Sequence, residues 1–106
     1  MKYDLTTERT REIKHAIISA INDVYVRHGG DTNIHIETYE TIVHGDIWGA
    51  NGEHVSFDID VNHEKTDAEN YRTARHETEQ ALIELGMEFM TSEEIFLEQI
   101  SIQGGI

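Results

Sequence analysis

The chain has no cysteine. That removes disulfide frameworks, thiolate zinc sites and cysteine nucleophiles together. No stretch reaches the ~18 consecutive apolar residues of a membrane-spanning helix, and the richest window, IKHAIISAINDVYV, is broken by Lys14, His15 and Asp23. The opening residues, MKYDLTTERTREIK, lack an apolar run behind a basic start, so no signal peptide is expected. There is no Asn-x-Ser/Thr acceptor site. A cytoplasmic setting is the simplest that fits these absences.

Cations are also scarce. Lys and Arg number 8 against 21 Asp and Glu, a formal charge of −13 with histidine neutral. Polyanions are held by Lys and Arg, and a chain this negative repels them at a distance. Direct binding to nucleic acid or to an anionic membrane is therefore not expected. An acidic chain can be disordered, but here branched aliphatics recur at regular intervals, which favours folding. At 106 residues the chain is long enough for one domain, residues 1–106, with one modest core.

The pattern predicts a helix over residues 7–28. Ile13, Ala16, Ile17, Ala20, Ile21 and Val24 form one apolar stripe. Thr6 or Thr7 caps its start, Glu8 suits the positive end of its dipole, Arg27 and His28 suit the negative end, and Gly29-Gly30 stops it. Strands are expected over 33–48 and 53–62. In the second, Val55, Phe57, Ile59 and Val61 alternate with polar residues. A two-residue Asn51-Gly52 turn would mix apolar and polar faces. A three-residue turn, Ala50-Asn51-Gly52 with a glycine bulge, pairs Ile47 with Val55 and Val43 with Ile59. We favour the latter, which places Ile42, His44, Asp46 and Trp48 beside His54, Ser56, Asp58 and Asp60 on the outer face. Ile34 to Tyr39 fits this phase poorly, which calls for a bulge or bend.

A second helix is expected over 66–85, opened by the capping box TDAE at 66–69 and closed by Gly86. Its inner stripe is Tyr71, Ala74, Thr78, Ala81, Leu82 and Leu85. In the tail, IFLEQISI at 95–102 alternates at Phe96, Ile100 and Ile102 and reads as a strand, with TSEE before it as a turn or a single helical turn. The expected order is (β)αββα(β)β, an α+β fold with two helices on one face of an antiparallel sheet. It becomes ferredoxin-like if residues 1–5 form a strand.

Charge is unevenly placed along this order. Every Lys and Arg lies at 2–27 or 65–75. Residues 28–64 carry eight acids and residues 76–106 carry seven, with no Lys or Arg in either stretch. Helical acids beside helical bases need no special account. Acids on a sheet without cations repel one another, although they also protect exposed edges from aggregation. A basic partner would relieve that repulsion. The candidate contacts are Asp46, Glu53, Asp58, Asp60 and Glu64, with Trp48 as an aromatic anchor, and Glu93, Glu94 and Glu98 as a second patch.

In size, acidity and α+β character the chain resembles the small phage-encoded anti-CRISPR and anti-restriction inhibitors, and immunity proteins that block nuclease toxins. The resemblance rests on no motif and carries over no residues. It implies a non-enzymatic protein whose carboxylates stand in for phosphates and occlude a basic nucleic-acid-processing protein; monomer and homodimer are both open.

Other chemistries find weaker support. The seven histidines include His44 opposite Asp58 in the favoured register, with Asp46 and Asp60 on the same face and His54 beside Trp48, an arrangement open to a metal ion. But HETEQ at 76–80 and HEKTD at 63–67 each lack the second histidine of a zinc helix. Asp58 and Asp60 lie on one exposed strand, not across a cleft. No serine has a Gly-x-Ser-x-Gly context, and Gly45, Gly49 and Gly52 do not have phosphate-loop spacing. No metal or cofactor is expected. A homodimeric structural or adaptor subunit and a metal-dependent enzyme using the His/Asp face remain the alternatives.

Overall fold

A computed structural model describes residues 5–104. Within them run α1 (Leu5–His28), β1 (Asn33–Thr38), β2 (Ile42–Trp48), β3 (His54–Asp60), α2 (Asp67–Glu84) and α3 (Ser92–Gly104). The class is α+β, in the order αβββαα.

α1 buries the stripe its spacing dictates: Ile13, Ile17, Ala20, Ile21 and Val24 are closed to solvent. α2 begins at the expected capping box. The Thr66 hydroxyl accepts from the Glu69 amide at 3.1 Å, and the Glu69 carboxylate accepts from the Thr66 amide at 3.0 Å. Ala74, Ala81 and Leu82 turn inward from α2. Two polar ties join the helices: Arg9 to Asp67, and the Tyr71 hydroxyl to Asp23. The side-chain amide of buried Asn70 donates to the carbonyls of Asn62 (3.0 Å) and Thr66 (3.1 Å), fastening the β3–α2 loop to the first turn of α2.

The sheet is an antiparallel meander, β1-β2-β3. Ile47 faces Val55, Val43 faces Ile59 and His44 faces Asp58, the register expected from apolar matching. The hairpin closes with Gly52 at φ 88° and its amide donating to the Gly49 carbonyl at 3.1 Å. That is the three-residue turn with its glycine in the left-handed region. Val43, Ile47, Phe57 and Ile59 join the helical stripes in one core. Gly45 belongs to the same inner face. A Cβ there would lie 2.5 Å from the Phe57 ring, so the missing side chain is what lets the phenylalanine lie flat across β2.

Three expectations are corrected. The segment 33–48 is two strands, not one. Ile34 and Ile36 are out of phase with Val43 and Ile47, and the chain resolves this by reversing at Glu40-Thr41, with the Tyr39 amide donating to the Ile42 carbonyl at 2.8 Å. β1 then pairs with β2, Ile34 opposite Ile47. The 95–102 strand is a helix: the Thr91 hydroxyl accepts from the Glu94 amide at 3.2 Å and caps α3. Phe96 and Ile100 also stand one helical turn apart, and Ile95, Phe96 and Leu97 are contiguous, which strict strand alternation forbids. The ferredoxin-like order fails because no helix intervenes between the three strands. The N-terminal strand expected over residues 1–5 falls on residues 1–4, outside those described, and on Leu5, which opens α1.

Candidate functional site

Strand geometry assembles the outer face. With the helices on the other side, every second residue of each strand is turned to water. Antiparallel register aligns Asn33, Trp48 and His54 in one row, His35, Asp46 and Ser56 in the next, and Glu37, His44 and Asp58 in a third. Asp60 continues beyond them opposite Ile42. Acids and imidazoles thus alternate across three strands that hold no Lys or Arg.

The contacts are close. Both ring nitrogens of His44 meet carboxylates, Nδ1 to Asp58 at 2.6 Å and Nε2 to Asp46 at 2.9 Å. A carboxylate only accepts, so both contacts are hydrogen bonds only when His44 is the doubly protonated imidazolium. The bond to Asp58, aided by attraction from Asp46, holds His44 above the ordinary imidazole value despite partial desolvation. The other oxygen of Asp46 meets His54 Nε2 at 2.8 Å. That hydrogen bond, with His44 beside it, holds Asp46 below the usual carboxylate range. Glu37 is lowered in the same way, first by the Tyr39 hydroxyl and then by His35 at 2.9 Å. Asp46 is the most enclosed member, its side chain 18% exposed against 57% for Asp58.

Not all the expected contact residues meet here. Asp46, Trp48, Asp58 and Asp60 share the face, with Trp48 39% exposed and stacked on His54 at 5.0 Å. Glu53 lies at the hairpin end, exposed, beside Gly49. Glu64 is exposed in the β3–α2 loop, where Lys65 borders a basin of about 230 Å³ together with Asp58, Asp60 and Glu77. Glu93, Glu94 and Glu98 belong to α3, whose first turn is anchored on α2. Asp46, Asp58 and Asp60 thus belong to the sheet, and Glu93, Glu94 and Glu98 to α3.

The sequence places His44, His54, Asp46 and Asp58 together but gives no direct sign that His35 and Glu37 join them. The phase break before Ile42 was the available signal, since a reversal there brings β1 alongside. Among the described residues, no group of three or more His, Asp or Glu is arranged to hold a metal ion, and no helix is long and apolar enough to cross a membrane. The chain matches no family model, no curated protein and no solved structure.

Proposed function

We propose that the outer face of the sheet docks a basic, nucleic-acid-handling protein and blocks its polyanion-binding surface by occupation, without catalysis. An inhibitor of a host defence nuclease and an antidote to a nuclease toxin both fit this role. One observation carries the reading: Glu37, Asp46, Asp58 and Asp60 stand on one face of three strands that carry histidines and no Lys or Arg. Histidine gives up its charge near neutrality, whereas Arg and Lys do not. An incoming guanidinium or ammonium can therefore replace an imidazolium at the same carboxylates. Complementary charge of this kind speeds association and weakens with salt.

The test is capture from the native host at low and high salt, with the captured proteins identified by mass spectrometry. Wild type is expected to retain a basic nucleic-acid-binding protein at low salt, to release it at high salt, and to compete with DNA for it. Asp58→Lys with Asp60→Lys is expected to lose it. Capture should also strengthen as pH rises through the raised value of His44, where the imidazole releases its carboxylates. Capture unchanged by the double reversal removes this face from the proposal.

A further inference from the structure

Among the described residues, α3 is the helix with the most exposed large apolar side chains. Its first turn is well held: the Ser92 amide and hydroxyl donate to the buried Glu79 carboxylate at 2.9 and 3.0 Å. From Glu93 to Gln99 every side chain is exposed. Phe96 and Leu97 are 61% and 63% open to water, with Ile95 beside them. A helix of 13 residues is marginal by itself in water and depends on packing for its stability. The radius of gyration, 15.8 Å, exceeds the roughly 13 Å of a compact domain of about 100 residues, as expected of a body with an uncovered element.

α2 and α3 flank a groove of about 560 Å³. Phe96 and Leu97 line one wall and Arg72 and Arg75 the other. Neither arginine forms an ion pair with a carboxylate among the described residues, and Arg75 lies over the Tyr71 ring at 5.9 Å. Glu93, also at the groove, faces His76 at 3.8 Å. An apolar wall facing two unpaired guanidiniums suits an amphipathic helix bearing carboxylates and no cations.

α3 is such a helix. Its apolar residues are accompanied by Glu94 and Glu98, one turn apart on one stripe, and the chain has no Lys or Arg after Arg75. We infer that the α2–α3 groove is a homodimer interface, occupied by α3 of a second copy. In a two-fold arrangement each copy supplies both halves. Phe96 and Leu97 of the two copies cover one another, and Glu94 and Glu98 of each approach Arg72 and Arg75 of the other. The surface is distinct from the sheet face, so the inference stands independently of the function proposed above.

Analytical ultracentrifugation of the full chain across a wide concentration range tests it. Wild type is expected to be a reversible dimer that persists in high salt, since apolar burial leads the association. Phe96→Glu with Leu97→Glu should raise the dimer dissociation constant about a hundredfold or more. Arg72→Glu with Arg75→Glu should yield a monomer, as should Glu94→Arg with Glu98→Arg. An equimolar mixture of the two charge variants should recover a dimer, seen as the heterodimer by native mass spectrometry. Asp58→Lys with Asp60→Lys should leave the dimer intact. A monomeric wild type overturns the inference, including one that instead binds an acidic helix of another protein. So does a dimer insensitive to the α2 and α3 variants, or a mixture of charge variants that stays monomeric.

Discussion

The sheet face and α3 come from equally acidic, cation-free sequence, yet they reach opposite states. On the face, cross-strand neighbours stand about 4.5–5.5 Å apart, so each carboxylate of the β2 rows meets an imidazole from its own or an adjacent strand. On α3, among the described residues, Glu93 reaches a histidine at 3.8 Å, and Phe96 and Leu97 stand more than half open to water. Net charge says how much acid must be accommodated. Only the register says where partners are available.

The comparison is broken most severely by one substitution made in both regions. Phe57→Ala removes the ring that lies across Gly45 and should cost about 3–5 kcal/mol, lowering the midpoint of thermal unfolding by about 4–8 °C for each kcal/mol. Phe96→Ala at low protein concentration should change monomer stability by less than about 0.5 kcal/mol. Equal losses in calorimetry would show that α3 is packed against its own chain.

Next is the link between α2 and α3. Glu79→Ala leaves the Ser92 amide and hydroxyl without their acceptor and should cost about 1–3 kcal/mol. Amide exchange should accelerate in the first turn of α3 before it does in the sheet. Exchange that rises evenly over the molecule would mean that α3 does not depend on this carboxylate. The two caps give a finer contrast. Thr66→Ala breaks a reciprocal box and should cost about 1 kcal/mol, whereas Thr91→Ala breaks a single bond to the Glu94 amide and should cost less by denaturant titration.

The smallest expected effect is in pH. His44 is raised from an ordinary value of 6.5, so its contribution is complete below about pH 6.5 and is lost as pH rises through the raised value. Asp46 is lowered from 3.8, so its contribution is complete above about pH 4 and is lost as pH falls through the lowered value. The stability difference between wild type and His44→Gln should therefore be greatest between about pH 4 and pH 6.5. Pairs this exposed are worth about 0.2–1 kcal/mol. A difference that does not vary with pH would dissociate the imidazolium from the stability of the face.

Much of this was legible in the sequence, because the relevant signals are local or of fixed period. The α1 stripe, the Thr66-Glu69 box and the Asn51-Gly52 hairpin each follow from a few neighbouring residues. The hairpin register follows because one phase alone keeps Val43, Ile47, Phe57 and Ile59 together. β1 was hidden because its partner is fixed by a turn at Glu40-Thr41 that has neither glycine nor proline. α3 was hidden because Phe96, Ile100 and Ile102 fit a period of two, while Phe96 and Ile100 alone stand a helical turn apart. The cap motif Thr91-x-x-Glu94, of the same form as Thr66-x-x-Glu69, was the signal that separates them. Its anchor, Glu79, lies thirteen residues from Ser92 and has no local signature.

The Asn70 amide has an effect beyond its own helix. By holding the Asn62 and Thr66 carbonyls together it ties the segment that follows β3 to the first turn of α2, which restrains the end of the strand that carries Asp58 and Asp60. In the proposed function a partner meeting them would forfeit little conformational freedom on arrival, and pre-organisation of this kind strengthens a complex without adding a single contact.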